Sequence, residues 1–292
     1  REVERSGLGY DIVDDLTGKK MGRASSATFR TADVVGLDTM AHVIKTLQNG
    51  AKDDPFNSCF ANPVALDKLL ALGNFGQKTK AGFFKKEGKT ILQFNAETGE
   101  YVPAGAKADK DVTDILRKPA AERAKALRES AHPQAQFIWA LLRNAFHYAA
   151  VTLESIAESA REVDFAMRWG FGMKQGPFEI WQEAGWKQVA EWVKADIDSG
   201  KALAKAPVPA WVFDGRDGMH TAEGSWSPKT GKYVPIRDLP VYKRQAFREN
   251  VLGSQAPNAA TAGKTLFEDA NIRLWTLDDE VVIASIKSKM HT

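Results

Sequence analysis

The sequence has 292 residues, a formal net charge of +3, 43% hydrophobic residues and 26% charged residues. These values are typical of a globular chain with room for about two domains. The small net charge and the interspersed acids argue against a nucleic-acid partner. The single cysteine, Cys59, excludes an internal disulfide and a cysteine cluster for zinc, and we predict no metal site. Since no apolar run approaches the ~18 residues of a membrane span, and no signal peptide opens the chain, we expect a cytoplasmic protein.

Two stretches of the chain resemble each other. Residues 11–38 and 161–185 both contain an acidic residue, a pair of glycines, a phenylalanine and a short amphipathic segment that ends at glycine. This alignment matches Asp11 with Asp164 and Phe29 with Phe178.

A second similarity lies downstream in each half. The segment FNAETGEYVP at 94–103 matches WSPKTGKYVP at 226–235. Because the two similarities occur in the same order, they predict that one module was duplicated.

The first half reads as helices followed by a small sheet. The pattern predicts a helix over 2–15 with a break at 6–9, a helix over 31–48 with a break at Gly36, and a helix between Pro63 and Gly73. Short apolar runs between 83 and 102 predict a β meander. The glycines at 6–9 follow no strand, so we interpret them as a turn and not as a dinucleotide loop.

The second half is also mainly helical. A polar, alanine-rich stretch at 104–133 is predicted to be helical, and an apolar stripe predicts a long helix over 134–159. We predict further helices at 161–169, 177–184 and 187–198, strands at 208–213 and 232–235, and a short helix at 240–252.

The last 40 residues have a different character. Residues 254–264 have the small and polar composition of a linker, and alternation on both sides of Asp278 predicts two strands. Two strands alone do not form a stable domain. Together with the start at Arg1 and the end at Thr292, this leads us to expect a piece of a longer protein.

Three motifs together resemble one enzyme family. They are GRASSATFRTADVVGLD at 22–38, GNFGQKTKAGFF at 73–84 and EVDFAMRWGFGMKQGPFEIWQEAG at 162–185. They are similar to the C-terminal helical domain of 3-hydroxyacyl-CoA dehydrogenases. The tail at 264–291 resembles the first hairpin of a crotonase-type enoyl-CoA hydratase domain.

The resemblance implies a mainly α fold. We expect two tandem helical repeats like the 6-phosphogluconate dehydrogenase C-terminal domain, each ending in a small β meander or hairpin. The first repeat would cover 1–118, with its first helix truncated, and the second would cover 119–252. Residues 253–292 would form a linker and the first strands of a crotonase-like domain.

The resemblance also implies an activity for the parent protein. The family oxidises (3S)-3-hydroxyacyl-CoA to 3-ketoacyl-CoA with NAD in fatty-acid β-oxidation. NAD and the catalytic His and Glu belong to a Rossmann domain that this chain lacks, and the substrate-holding Asn would lie upstream of Arg1. We therefore assign no catalytic residue here. The expected partners are the acyl-CoA substrate, the N-terminal Rossmann domain and C-terminal hydratase domain of the same parent, and a second copy in a homodimer.

The resemblance places candidate substrate contacts in two turns of the first half. Ser25, Thr28, Phe29, Arg30 and Thr31 would face the cofactor and thioester, with helix capping and packing as the alternative. Lys78 and Thr79 lie in a glycine-rich turn and are candidates for a phosphate contact. The alternative for both is a purely structural turn.

Several other conspicuous residues have a structural interpretation. We expect His147 in the core or at an interface, His42 and His220 at the surface, and Asn144 without a catalytic role. We also expect a core cluster, with an acyl-chain groove as the alternative, for the tryptophans Trp169, Trp181, Trp186 and Trp192.

Two rival functions remain open from the sequence. One is a non-catalytic helical assembly or dimerisation module. The other is a related helical domain that serves a dehydrogenase of another hydroxy acid.

Overall fold

The computed structural model describes residues 1–244, 251 and 262–288. This part of the chain contains short and long helices with three small antiparallel sheets. The helices are α1 (Glu2–Ser6), α2 (Tyr10–Thr17), α3 (Phe29–Val35), α4 (Leu37–Gly50), α5 (Val64–Ala71), α6 (Lys110–Leu116), α7 (Ala120–Glu129), α8 (Pro133–Ile156), α9 (Ala160–Phe171), α10 (Pro177–Glu183), α11 (Trp186–Asp198) and α12 (Pro240–Lys243). Among the described residues, none of these helices has both the length and the apolar character to cross a bilayer.

Each sheet has three strands in consecutive order. The strands are β1 (Phe84–Glu87), β2 (Thr90–Phe94), β3 (Tyr101–Pro103), β4 (His220–Thr221), β5 (Gly224–Ser227), β6 (Lys232–Val234), β7 (Lys264–Glu268), β8 (Ile272–Thr276) and β9 (Val282–Ile286). The β1–β2–β3 sheet follows a run of helices in the first half, and the β4–β5–β6 sheet follows a run of helices in the second. Both sheets are meanders.

Helix α8 is the longest described element, with 24 residues, or about 36 Å at 1.5 Å per residue. The imidazole of His132 accepts a hydrogen bond from the Gln134 N–H at 3.2 Å, and Pro133 occupies the first helical position. Both features favour a helix start at this point. The helix packs against α1, α7, α10 and α11. The predicted long helix is therefore confirmed, three residues shorter at its end.

The hydrophobic core is divided into two clusters of unequal size. The smaller cluster joins α4, α5 and the first sheet through Leu37, Leu66, Leu69, Phe83 and Phe94. The larger cluster lies around α8 and α10, and it also includes residues of α2 and α6 from the first half. Helices α2 and α6 thus connect the two halves of the chain.

One predicted strand is wrong. Residues 208–213 contain a 3-10 turn at Ala210–Phe213, and the second sheet begins later, at β4. Pro207 and Pro209 explain the difference, because proline removes the N–H that a strand would donate. The tail has one strand more than the two predicted, since β7 begins at the last residue of the predicted linker and covers Lys264–Glu268. Most of that linker, and the second half of the predicted helix at 240–252, lie outside the described residues.

Two side-chain predictions are also wrong. Trp169 is 66% exposed and stacks on Phe165 with ring centroids 4.4 Å apart, because it lies on the outer face of α9. His220 is buried, because β4 turns its side chain toward α9. Trp181 and Trp186 do lie in the core, as predicted. His147 is buried as well, and its Nε2 lies 2.8 Å from the Ala206 carbonyl oxygen.

Candidate functional site

The start of α3 is held by a carboxylate from α2. The backbone N–H groups of Thr28, Phe29 and Arg30 donate hydrogen bonds to Asp14 at 3.0, 2.7 and 2.9 Å. Burial raises the pKa of Asp14, although these three donors oppose the rise. One buried side chain thus fixes the turn that contains most of the candidate substrate contacts.

The same arrangement occurs at the start of α10. Asp164 of α9 accepts hydrogen bonds from the N–H groups of Phe178 and Glu179 at 2.9 and 3.1 Å. Gly176 is required here, because a Cβ at this position would lie 2.3 Å from the Cα of Asp164. The match between the halves is therefore Asp14 with Asp164, an offset of 164 − 14 = 150.

The alignment of Asp11 with Asp164 is consequently wrong. Asp11 accepts hydrogen bonds from the N–H groups of Gly105 and Ala106, both at 2.8 Å, after β3. Its role is to attach the chain after the first sheet to α2. The three-residue error arose because both aspartates occur in the same acidic stretch of α2.

Asp164 also belongs to a hydrogen-bonded Asp–His–Ser array. Nε2 of His220 is 2.6 Å from a carboxylate oxygen of Asp164, and Nδ1 is 2.8 Å from Oγ of Ser225. Burial raises the pKa of Asp164, and His220 opposes this rise. All three side chains are buried, so a substrate has no access to the serine. We interpret the array as structural.

A second carboxylate holds the first sheet. Asp33 of α3 accepts hydrogen bonds from the N–H groups of Phe83 and Phe84, both at 2.8 Å. In the second half, Oε1 of Gln182 accepts hydrogen bonds from the N–H groups of Met219 and His220 at 2.7 and 2.8 Å. A neutral amide therefore performs in one half the task that a carboxylate performs in the other.

In each half, a glycine precedes these N–H groups, and its carbonyl accepts a hydrogen bond from a tyrosine hydroxyl. The Tyr101 hydroxyl donates to the Gly82 carbonyl at 2.7 Å, and the Tyr233 hydroxyl donates to the Gly218 carbonyl at 2.8 Å. The offset of 233 − 101 = 132 is the one that relates the two YVP segments.

The charge of Asp33 leads to a pH-dependent prediction. Burial raises the pKa of Asp33 to about 6, backbone donors oppose the rise, and Asp14 adds to it. Because the folded-state pKa lies above the unfolded value, folding favours the protonated carboxyl of Asp33. The contribution of this protonated carboxyl to the free energy of unfolding is complete below pH ~4 and lost as the pH rises through ~6. The rise of about two units corresponds to about 3 kcal/mol.

We therefore expect Asp33→Asn to be more stable than the wild type by up to about 3 kcal/mol at pH 7.5 and by only about 1 kcal/mol at pH 4.5. Urea denaturation of both proteins at the two pH values measures this difference. A stability difference that is independent of pH would contradict the prediction.

The structure locates the predicted substrate contacts around the two ends of α3. Ser25, Thr28 and Arg30 are exposed at its start. Phe29 packs on the rings of Tyr10 and Phe83, with centroids 4.5 and 4.6 Å away, so its side chain belongs to the core.

Thr31 and Thr79 use their hydroxyls inside their own turns. The Thr31 hydroxyl donates to the Ala27 carbonyl at 2.7 Å, and its oxygen lies 2.8 Å from Oγ of Ser26. Oγ1 of Thr79 accepts a hydrogen bond from the Phe75 N–H at 2.7 Å. These contacts correspond to the alternative that the sequence left open, a structural turn.

Lys78 lies at the other end of α3, beyond Gly36. Its ammonium group forms an ion pair with Asp38 of α4 at 2.6 Å and lies 5.7 Å from the centroid of the Phe75 ring. Asp38 also lines a groove of about 480 Å³ between α4 and α5. Because α3 has seven residues and spans about 10 Å, Lys78 and Ser25 do not form a single contact point.

The turn before α3 has an unusual charge distribution. Residues 18–31 include Lys19, Lys20, Arg23 and Arg30 but no carboxylate. Lys20 is paired with Asp15 at 2.7 Å. Ala27 in this turn has a φ of 54°, a conformation that non-glycine residues adopt rarely and often near functional sites. The surface at the start of α3 is thus cationic and suited to an anionic ligand.

The described residues do not fit a dinucleotide. All described strand pairs are antiparallel, whereas a dinucleotide fold needs parallel strands joined by a glycine-rich loop and a helix. The described strands therefore do not form a dinucleotide fold of this type.

Comparison with known proteins identifies the type of domain. Residues 2–86 match the family model described as the C-terminal domain of 3-hydroxyacyl-CoA dehydrogenase. This segment contains α1 to α5 and the carboxylates Asp14 and Asp33. The resemblance to this domain is confirmed for residues 2–86.

Individual relatives agree with this match. A Bacillus subtilis protein named "Probable 3-hydroxyacyl-CoA dehydrogenase" is 36% identical over 213 residues, which are 68% of this chain and 27% of that protein. A Deinococcus radiodurans protein of the same name is 42% identical over 86 residues, 30% of this chain and 24% of that protein.

A more distant relative has a broader name. The Rickettsia prowazekii "Putative fatty acid oxidation complex trifunctional enzyme" is 22% identical over 213 residues, 70% of this chain and 27% of that protein. The matched part of the chain thus spans about a quarter of the length of each of these relatives.

Proposed function

We propose that this chain is the helical part of an NAD-dependent 3-hydroxyacyl-CoA dehydrogenase that oxidises (3S)-3-hydroxyacyl-CoA to 3-ketoacyl-CoA in fatty-acid β-oxidation. In this proposal the chain forms one wall of the acyl-CoA cleft and contributes to dimerisation. It has no hydride-transfer activity alone, because it lacks the groups that position cofactor and substrate.

The observation that carries the proposal is the cationic turn at the start of α3. It lies within residues 2–86, which match the dehydrogenase C-terminal domain. Its exposed Arg30 and Ser25 are available to an acyl-CoA, whose phosphates carry negative charge. Asp14 holds the backbone of this turn in place, and such fixed geometry favours binding.

We further propose that the fold consists of two copies of one helical unit. The paired contacts of Asp14 and Asp164, Asp33 and Gln182, and the two tyrosine–glycine hydrogen bonds support this duplication. Each unit ends in a three-stranded meander.

The remaining parts of the parent are proposed by the same reasoning. NAD would be bound by a Rossmann domain outside this chain, and β7 to β9 would begin a crotonase-like hydratase domain. The expected cytoplasmic location remains part of this proposal.

Two measurements test the proposed function. The 292-residue chain, incubated with acetoacetyl-CoA and NADH, should show no turnover above background. Titration of the chain with acyl-CoA should show saturable binding. If the chain instead forms a dimer by sedimentation and ignores acyl-CoA, the rival function of a non-catalytic assembly module is supported.

A substitution in the parent enzyme tests the cationic turn. We expect Arg30→Ala to raise KM for the acyl-CoA about tenfold, a loss of ~1.4 kcal/mol, with little change in kcat. The physical reason is the loss of a cation that contacts the substrate equally in the ground state and the transition state. Steady-state kinetics at several acyl-CoA concentrations measure the effect.

The matched control is Arg117→Ala, which removes an exposed arginine that pairs with Asp114. This variant should leave KM unchanged. Equal effects of the two substitutions would contradict a specific role for Arg30.

A further inference from the structure

The first β-hairpin is longer than its counterpart in the second half. Strands β1 and β2 form four residue pairs, whereas β4 and β5 form two. Phe84 and His220 are equivalent residues at the base of the two hairpins, since their N–H groups bind the matching side chains. Those side chains are Asp33 and Gln182. The first hairpin therefore extends two residue pairs, or about 7 Å, beyond the length of the second.

The longer hairpin carries lysine side chains. Residues 85–91 read KKEGKTI, whereas residues 221–224 of the shorter hairpin read TAEG and contain no lysine. Lys85 forms an ion pair with Glu87 at 2.6 Å, so these two charges compensate each other. Lys86 and Lys89 are exposed. The positive charge of the extension therefore comes from Lys86 and Lys89.

One face of this hairpin continues the cationic turn before α3. Residues two apart on a strand point to the same face, so Phe84 and Lys86 share a face of β1. The guanidinium of Arg30 lies 5.5 Å from the centroid of the Phe84 ring, which is within the range of a cation–π interaction. Ile91 of β2 lies opposite Lys86 and is 44% exposed. Arg30, Phe84, Lys86 and Ile91 thus form one surface, the Arg30–Lys86 face.

The charges of the Arg30–Lys86 face are not neutralised by ion pairs within the described part of the chain. Neither Arg30 nor Lys86 has a carboxylate at ion-pair distance there, and Glu87 points to the opposite face with Lys85. Asp14 lies near Arg30, but it is buried and already accepts three backbone hydrogen bonds. Two exposed cations beside apolar side chains suit a ligand that combines anionic groups with a ring.

The second half uses the equivalent positions differently. Glu179 corresponds to Arg30, because the N–H groups of both bind the carboxylate that holds the preceding turn. His220 corresponds to Phe84 and directs its ring to the buried Asp164. The second half thus has an acid and a buried histidine where the first half has an arginine and the ring beside it. Since one copy of the unit folds without the Arg30–Lys86 face, stability of the unit does not explain this face.

We propose that the Arg30–Lys86 face binds the nucleotide end of acyl-CoA, which is an ADP group with a 3′-phosphate. The inference rests on the proposed function and names the part of the substrate that this surface recognises. Arg30 and Lys86 bind phosphate oxygens, the arginine through its N–H groups and the lysine as a point charge. Ile91 contacts the adenine ring beside them. The cationic turn and the extended hairpin then serve one ligand.

Titration calorimetry of the 292-residue chain tests this proposal. We expect Lys86→Ala to raise the Kd for acetoacetyl-CoA about fivefold, the effect of losing one exposed ionic contact. Lys85→Ala is the matched control, because it removes the neighbouring lysine that pairs with Glu87 on the other face. Its Kd should equal that of the wild type. Adenosine 3′,5′-bisphosphate, which has no thioester, should compete with acetoacetyl-CoA for the wild type and bind Lys86→Ala more weakly.

The outcomes separate this proposal from the proposed function. If the chain binds acetoacetyl-CoA and both lysine variants bind it equally well, the nucleotide subsite is refuted and the proposed function is not. If adenosine 3′,5′-bisphosphate binds in a Lys86-dependent manner but the thioester adds no affinity, the subsite is supported and the dehydrogenase function is refuted. Binding of neither ligand refutes both. Lys86-dependent sedimentation with phosphatidylglycerol vesicles, without nucleotide binding, would make a membrane surface the partner and overturn the proposal.

Discussion

Replacing Asp164 with alanine should lower the free energy of unfolding by about 3–5 kcal/mol, because each buried donor left without an acceptor costs about 1–3 kcal/mol. The substitution leaves the N–H groups of Phe178 and Glu179 and the imidazole of His220 without their acceptor. These groups are buried, so water does not replace the lost carboxylate. Urea denaturation at pH 7 measures the loss.

The control for this experiment is Asp198→Ala. Asp198 forms an exposed ion pair with Lys194 at the end of α11, and exposed pairs contribute little to stability. We expect its denaturation curve to overlap that of the wild type. If Asp164→Ala lowers the free energy of unfolding as little as the control does, the stability of the second half does not depend on this carboxylate.

Arg143→Ala is expected to lower the free energy of unfolding by a similar amount, about 3–5 kcal/mol. The guanidinium of Arg143 lies between two buried carboxylates, 3.2 Å from Glu2 of α1 and 3.4 Å from Asp196 of α11. Without Arg143, both carboxylates remain in a site that excludes water. The interface of α1 with α8 should therefore loosen, which denaturation and hydrogen exchange of α1 can measure.

Two comparison variants make the Arg143 result specific. Arg117→Ala removes an exposed arginine and should have little effect. Glu2→Gln keeps the shape of one partner and should cost less than Arg143→Ala, because it leaves Asp196 paired. If Arg143→Ala unfolds no more easily than Arg117→Ala, the buried cluster does not hold the halves together.

Asn144 belongs to the same cluster. Its side-chain amide donates to Glu2 at 2.6 Å, and its carbonyl oxygen accepts a hydrogen bond from Arg143. These bonds give Asn144 a structural role, because the amide joins α1 to the middle of α8.

The helices were readable from the sequence because their signals are local. The apolar stripe of α8, the proline at its start and the glycines before α4 and α11 act through neighbouring residues. The YVP similarity also revealed the corresponding strands β3 and β6. Strand β4 could not be found in this way, because its two residues have no apolar alternation.

The candidate site was predictable in part. The motif at 22–38 lies in a turn where Arg30 is exposed, whereas Phe29 and Thr31 use their side chains to hold the turn together. Asp14 and Asp33 were missed, although each recurs as a polar residue at the matching position of the second half, Asp164 and Gln182. That recurrence was the available signal.

The sequence by itself determined the helical class, the order of the main helices and the similarity between the halves, because periodicity and turn residues act over a few positions. Only the tertiary structure decided which aspartate of α2 holds α3, why His220 is buried and that Arg143 lies between Glu2 and Asp196. Each of these depends on residues that are far apart in the chain, and their contacts have no local pattern. A buried carboxylate is stable only where distant N–H groups converge on it, and that convergence exists only in the folded chain.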